Sequence, residues 1–348
     1  MKTIKDLMEK ICTFKNAMAA FKKARKCKRY RPDVMRFEKD REANLIRAVE
    51  DLEDGTYTPG PYTVFKVFEP KERVIMALPF YDRVIQHMIV TFIEPIFEKR
   101  FIFHSFACRK DKGVHEASAI LTKWLYKLEI LEGKKIWAIK ADIRHYFQSV
   151  NHEILKAEIR RYISDRRLLA ILDRIIDHNG IYEPGVGIPV GNLTSQLFAN
   201  VYLNILDQFV KHELGIKYYI RYMDDFVILG EDPEELKRIL ARIEEFINTR
   251  LKLQLNPKTT IIYTKNGVDF VGYRHWATMK LLRKAATRRL KQLLKNFEEG
   301  TITEEYFDRS LASRLGHMEH ADTCKLRQDI AEKVKGIKGK KSISELNG

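Results

Sequence analysis

Residues 217–230 read KYYIRYMDDFVILG. Apolar and aromatic residues flank an Asp-Asp pair on both sides, so the stretch predicts two strands with Asp224 and Asp225 at the tip of the hairpin between them. Adjacent carboxylates repel each other, and Asp is also common in turns because its side chain caps its own backbone, so the pair by itself is ambiguous. Residues 136–147, IWAIKADIRHYF, strengthen the catalytic reading by supplying a second β-rich run that delivers Asp142 at its end. Two strand ends then offer acids to one place. Such a constellation suits Mg²⁺, a hard cation that takes oxygen ligands and is often held by one or two carboxylates plus substrate phosphates. In phosphoryl transfer two such ions about 4 Å apart clamp the attacking and leaving oxygens. Three acids around two dications make a balanced count.

The 348 residues carry 63 Lys+Arg against 47 Asp+Glu, a net charge of +16, which points to a polyanionic partner, nucleic acid by default. The excess is uneven: residues 22–31, KKARKCKRYR, hold seven basic side chains and no acid, although a solvated basic helix face would read the same way. Cys12, Cys27, Cys108 and Cys324 lie far apart with no C-x-x-C pair, which suggests reduced thiols in place of a disulfide framework or zinc knuckle. The first ten residues, MKTIKDLMEK, are charged where a signal peptide needs an apolar core, and no apolar run approaches the roughly 18 residues that span a bilayer. A cytoplasmic protein without a membrane is expected.

Along the chain there is no internal repeat, and the pattern is α+β, with helices packed on an antiparallel sheet. Residues 1–56 read as a basic helical segment, with Leu45, Ile46, Val49 and Leu52 at helical spacing before Asp54-Gly55. A strand is expected from Tyr62 to Phe68, another from Lys135 to Asp142, helices from about His152, a Gly/Pro-rich loop over 179–191, and a helix through Leu206. Asp232 as N-cap and Pro233 at the first helical position start a helix whose Leu236, Ile239, Leu240, Ile243, Phe246 and Ile247 form one face. From about Thr278 the chain turns helical and basic, and residues 338–348 read as a flexible tail.

Seven blocks in order then resemble the reverse transcriptases. ADIRHYF (141–147), GIPVGNLTSQLFANVYL (187–203), YMDD (222–225), LNPKTT (255–260) and FVGY (270–273) are similar to the five palm motifs, and RVIMALPFYDRVIQH (73–87) and HSFACRKDKGVHEA (104–117) to the two finger blocks before them. The resemblance implies a right-hand polymerase: fingers over 57–135, palm over 136–275 and a helical thumb over 276–337. It implies an RNA-directed DNA polymerase that uses two Mg²⁺ ions, dNTPs, a template RNA and the growing cDNA/RNA duplex. Asp142, Asp224 and Asp225 become the metal-binding and catalytic acids.

The same resemblance assigns the substrate side. Lys66, Lys71 and Arg73 would meet the triphosphate, Arg73 foremost because a guanidinium binds phosphate oxygens in pairs. Ile143, Phe147, Val190, Gly191 and Gln196 would line the nucleotide, with Phe147 under the sugar to exclude a ribose 2′-hydroxyl, unless it or Tyr146 is core. Lys258 matches a lysine held to protonate the leaving pyrophosphate, a solvated turn lysine being the alternative. Arg109 and Lys112 would touch the template backbone, Phe270, Gly272 and Tyr273 the primer end, and Arg283 and Arg288 the duplex.

Most such enzymes carry P-Q-G-x-x-x-S-P in the fourth palm motif, but here residues 189–196 read PVGNLTSQ. That departure, with GTYTPGPY (55–62) and RLGHMEHADTCKLR (314–327), is similar to the reverse transcriptases of diversity-generating retroelements, themselves related to group II intron and retron enzymes. It implies a prokaryotic or phage-encoded enzyme that copies a template-repeat RNA with errors opposite adenine, beside an accessory variability protein (Avd), a basic oligomer. The rivals are another prokaryotic reverse transcriptase, of phage-defence or retron type, and a non-catalytic RNA-binding scaffold. His317 and His320, spaced H-x-x-H, read as ordinary helix residues for want of a third ligand nearby. GVGIPVG (185–191) lacks the Lys-Ser/Thr of a phosphate-binding loop, and Tyr218, Tyr219 and Tyr222 read as sheet core.

Overall fold

A computed structural model describes residues 3–68 and 72–346. Its helices are α1 (Met8–Ile11), α2 (Phe14–Ala24), α3 (Pro32–Lys39), α4 (Arg41–Glu53), α5 (Phe80–Glu98), α6 (Val114–Tyr126), α7 (Tyr146–Ser149), α8 (His152–Arg160), α9 (Arg166–Asp177), α10 (Leu193–Gln208), α11 (Pro233–Arg250), α12 (Lys284–Glu298), α13 (Glu304–Met318) and α14 (Cys324–Leu346). The strands are β1 (Thr63–Val67), β2 (Arg73–Ala77), β3 (Trp137–Asp142), β4 (Tyr219–Tyr222), β5 (Asp225–Gly230), β6 (Thr260–Tyr263), β7 (Val268–Phe270), β8 (Tyr273–His275) and β9 (Lys280–Leu282). The mixture of helices with antiparallel sheets is the α+β class that the sequence predicts. Two expectations need correction. A strand, β9, precedes the first basic helix, and α14 continues to Leu346 where a frayed tail was expected.

The fold divides into two compact units: Met1–Lys110, Asp142–Lys217 and Ile239–Lys258 form one, and Asp111–Ala141, Tyr218–Arg238 and Thr259–Gly348 form the other. In the first unit α5 is the central helix, with Val84, Ile85, Met88, Ile89 and Ile93 fully buried and both α2 and α10 packed on it. Helix α2 fits closely because Ala17, Ala20 and Ala24 put small side chains along one face at helical spacing, with buried Phe21 beside them. Its start is fixed by Thr13, which accepts from the Asn16 amide. Buried Asp165 caps two helices at once: one carboxylate oxygen takes the amides of Leu7 and Met8 at 2.8 and 3.0 Å, and the other takes Leu168 at 3.2 Å. Strands β1 and β2 pair antiparallel in a hairpin, with Lys66 opposite Val74 and Val67 opposite Arg73.

In the second unit, β4 and β5 pair antiparallel and the four-stranded order is β4-β5-β3-β6. Phe226 through Leu229 are all buried, as a strand covered on both faces requires. Strands β7, β8 and β9 form a separate three-stranded sheet. The C-terminal helices have their own core, in which Leu290, Leu293, Leu294 and Phe297 of α12 recur at i, i+3, i+4 and i+7, and Phe297 stacks on Phe307 at 4.0 Å.

Candidate active site

The acidic pair sits at a two-residue turn. Tyr222 pairs with Asp225 across the hairpin, leaving Met223 and Asp224 as the turn residues and Asp225 as the first residue of β5. Met223 has φ +55°, a left-handed conformation that a side chain normally avoids, so something must hold it there. Arg221 supplies that hold: its side chain is wholly buried, at 0% exposure, and Nη1 donates to the Met223 carbonyl at 2.8 Å. A permanent cation is thereby fixed in the same turn as two carboxylates. Nothing in the sequence marks this arginine except its place two residues before the turn.

Asp142, the last residue of β3, is gripped from the first unit's 254–258 segment. The Asn256 amide donates to the Asp142 carbonyl at 2.7 Å, and Asn256 Nδ2 donates to Asp142 Oδ2 at 3.0 Å. Ile143 bridges antiparallel to Leu255, and the Arg144 amide donates to the Gln254 carbonyl at 2.8 Å. Ile143 is only 2% exposed, so it can offer a nucleotide its backbone but not its side chain. Lys258 is exposed in the same turn, its amide donating to Asn256 Oδ1 at 3.0 Å.

Also in the first unit, the fourth palm motif joins two of the expected nucleotide residues. The Ile188 amide donates to the Phe147 carbonyl at 2.7 Å, and the Met76 amide donates to the Val190 carbonyl at 3.0 Å. Gly191 has φ +119° and lies so close to β2 that a Cβ would stand 3.1 Å from Ile75 Cγ2 and 3.3 Å from the Met76 carbonyl oxygen, which explains the glycine. Phe147 is half-buried, whereas Tyr146 is core, donating its hydroxyl to the Ala199 carbonyl at 2.6 Å. Gln196 is exposed on the first turn of α10. In the β1–β2 hairpin Lys66 is exposed and paired with Glu72 at 2.6 Å, Arg73 is exposed at the start of β2, and Lys71 lies outside the described residues.

Arg109 corrects the sequence reading. Expected on the template backbone, its side chain is 5% exposed; Nη2 reaches Glu98 Oε1 at 2.6 Å, Nε reaches both Glu98 oxygens at 3.0 Å, and Nη1 donates to the carbonyls of Ile102 at 2.7 Å and Ser105 at 2.6 Å. With its donors spent on the loop after α5, it has a structural task. Lys112 lies in the loop ahead of α6.

Phe270 and Tyr273 need a similar correction, because both side chains are fully buried. Val271 and Gly272 form the tight β7–β8 turn between them, with φ +42° and +90°. Arg283 occupies the N-cap position of α12 without a side-chain capping bond, and Arg288 is exposed on that helix.

Of the two histidines read as ordinary helix residues, His317 lies in α13 and meets the β7–β8 hairpin, and His320 lies in the turn after that helix. Tyr273 donates its hydroxyl to the His317 carbonyl at 2.9 Å, so His317 Nδ1, at 2.9 Å, and His115 Nδ1, at 3.3 Å, each donate to the phenol oxygen. His320 stacks on His115 with ring centroids 3.5 Å apart. Burial holds His115 and His317 below the usual imidazole range, His320 and Lys280 push both further down, and His115 does the same to His317.

Nearby, His275 Nδ1 donates to the Val268 carbonyl at 3.1 Å and Nε2 accepts from Ser118 at 2.9 Å, and burial pushes it down to about 4. A histidine depressed in the folded state leaves the unfolded chain binding more protons, so its contribution is intact above about pH 6.5 and drains away as pH falls toward 4. His275 alone should cost on the order of 2 kcal/mol between pH 7.5 and 5. Melting curves across that range should drop by several degrees in the parent and less in His275→Gln.

Comparison with known proteins agrees with the motifs. The family model described as reverse transcriptase (RNA-dependent DNA polymerase) matches residues 66–275. Protein YkfC of Escherichia coli (strain K12) is 28% identical over 276 residues, covering 67% of this chain and 71% of that protein. The group II intron-encoded protein LtrA of Lactococcus lactis subsp. cremoris is 23% identical over 349 residues, covering 78% of this chain and 57% of that protein. Apo telomerase from Candida tropicalis, truncated from its C-terminal domain, aligns with a TM-score of 0.48 at 16% identity over 66% of this chain and 55% of that one.

The α+β fold and the matched family model define a polymerase-type protein. The chain belongs to the reverse transcriptase family, the RNA-dependent DNA polymerases.

Among the described residues no helix is long and apolar enough to cross a membrane, and all four cysteines are free thiols. Among them, too, no group of three or more His, Cys, Asp or Glu side chains is placed to hold a metal ion by itself. Mg²⁺ is commonly completed by water and substrate phosphates, so an open set of carboxylates is what it needs.

Proposed function

We propose that this chain copies a template-repeat RNA into cDNA as the polymerase of a diversity-generating retroelement, with misincorporation opposite adenine and an accessory variability protein as partner. The observation that carries the polymerase reading is the strand arrangement: β5 opens with Asp225 and is the sheet neighbour of β3, which closes with Asp142. The donors are carboxylates, the ligand chemistry that suits Mg²⁺, and Asp142, Asp224 and Asp225 would hold it. Bound there, the two ions would acidify the primer 3′-hydroxyl and neutralise departing pyrophosphate.

The chain's own residues do the rest. Arg73 presents a planar fork to triphosphate oxygens from the exposed start of β2. Phe147 sets its ring against the sugar, and Lys258 delivers a proton to pyrophosphate. The turn at Val271 and Gly272 supports the primer, and Arg283 and Arg288 contact the duplex.

Val190 carries the mutagenic reading. Its carbonyl is tied to the Met76 amide of β2, while its side chain is an aliphatic wall where related enzymes have an amide. A wall without a hydrogen bond cannot tell one template base from another by more than packing, which distinguishes only about 1–3 kcal/mol. Val190→Gln should therefore lower misincorporation opposite adenine by roughly tenfold, read by sequencing cDNA made on an RNA template. An unchanged error spectrum contradicts this account of the errors. The retroelement itself is tested in the neighbouring DNA, where a template repeat, a variable repeat and a small basic reading frame are expected.

A further inference from the structure

We infer that Asn256 is a positioning residue for Asp142. The inference rests on the reading above that Asp142 is a metal ligand. A carboxylate that closes a strand has free torsions at its end, and two hard cations tolerate little misplacement of their oxygens. Asn256 removes that freedom at two points, its backbone amide on the Asp142 carbonyl at 2.7 Å and its side-chain Nδ2 on Oδ2 at 3.0 Å. The second contact leaves Oδ1 of Asp142 available and costs no charge, since a neutral amide orients a carboxylate without neutralising it.

Asn256 is itself held. Its Oδ1 accepts from the Lys258 amide at 3.0 Å, closing an Asx turn over Pro257, and Leu255 beside it bridges to Ile143. The orientation of Nδ2 is thereby decided: the oxygen must face the Lys258 N–H, so the nitrogen faces the carboxylate. The same turn that presents Lys258 aims Asp142.

The two tasks of the side chain can be separated. Asn256→Ser retains a short oxygen that can accept from the Lys258 amide but cannot reach Asp142; Asn256→Ala loses both. The experiment measures RNA-templated DNA synthesis against Mg²⁺ concentration, with dNTP KM and melting temperature beside it. Asn256→Ser should melt with the parent, keep its dNTP KM within about twofold, and need roughly ten- to a hundredfold more Mg²⁺ for half-maximal rate, the usual effect of losing a partner that orients a metal ligand. Asn256→Ala should show the same Mg²⁺ shift together with a lowered melting temperature. If Asn256→Ser keeps the parent's Mg²⁺ midpoint and rate while Asn256→Ala is impaired, Asn256 only builds the turn and the inference is overturned. Asp142→Ala, run alongside, separates the two levels: parental synthesis there sinks the assignment of Asp142 and leaves Asn256 nothing to position.

Discussion

Asp224→Asn is expected to reduce RNA-templated DNA synthesis by roughly three orders of magnitude or more, with the melting temperature unchanged. The substitution keeps the shape of the side chain and removes one negative oxygen from the set that would hold two dications. Metal stabilisation of the developing charge amounts to several kcal/mol, and each 1.36 kcal/mol is a factor of ten in rate. Stability should survive, because Asp224 lies half-exposed in the turn while Arg221 and the strand pairing hold that turn in place. Primer extension on an RNA template, with melting curves of the same preparations, checks both halves. Asp142→Asn should fall as far, and the double variant little further, since groups acting on one pair of ions are not additive. Synthesis within tenfold of the parent would remove Asp224 from the chemistry.

Arg109→Ala is expected to destabilise the fold by about 2–4 kcal/mol, enough to lower the melting temperature by roughly 5–10 °C, without changing the salt dependence of nucleic-acid binding. Removing the guanidinium strands the carbonyls of Ile102 and Ser105 and leaves Glu98 without its fork. The value sits below that of a fully buried pair because the Glu98 side chain is 37% exposed and can recover water. Arg109→Lys should recover little of the loss, since an ammonium cannot serve four acceptors on three residues in that plane. A template contact would behave in the opposite way, with stability kept and the slope of binding against salt reduced by about one. Chemical denaturation and binding titrations at several salt concentrations distinguish the two.

These two residues also mark what a sequence can and cannot disclose. Strands β3 and β5 were legible because apolar residues crowd both sides of an acid, and α11 because Asp232 and Pro233 announce its start; the Glu234 amide does donate to Asp232 Oδ1 at 2.9 Å. Such signals are local. The Arg109–Glu98 fork is not, for it depends on how the loop after α5 folds back, and a basic residue in a finger block looks the same whether it faces a phosphate or a buried carboxylate. Strand β9 was missed because Lys280, Leu281 and Leu282 are three residues with no buried alternation, held by pairing to β8 and by Asp322, which takes the Lys280 amide at 2.6 Å.

Asn256, Arg221 and the partners of His317 and His320 were hidden for a related reason. Each acts through a hydrogen bond or ring contact to a residue chosen by the fold, and even the H-x-x-H spacing names neither His115 nor Tyr273. The acids were found because paired carboxylates in a basic protein call for an explanation. The residues that aim them do not advertise themselves.

Replacing Mg²⁺ by Fe²⁺ in the presence of primer, RNA template and dNTP, then adding ascorbate, cuts the backbone beside bound metal and tests the shared-ion account without relying on activity. Two sets of cuts are predicted, one next to Asp142 and one next to Asp224 and Asp225, both suppressed together by added Mg²⁺ and both lost in Asp224→Asn. Cuts at only one of these places, or two sets that Mg²⁺ suppresses at different concentrations, would contradict a single metal pair held by all three acids.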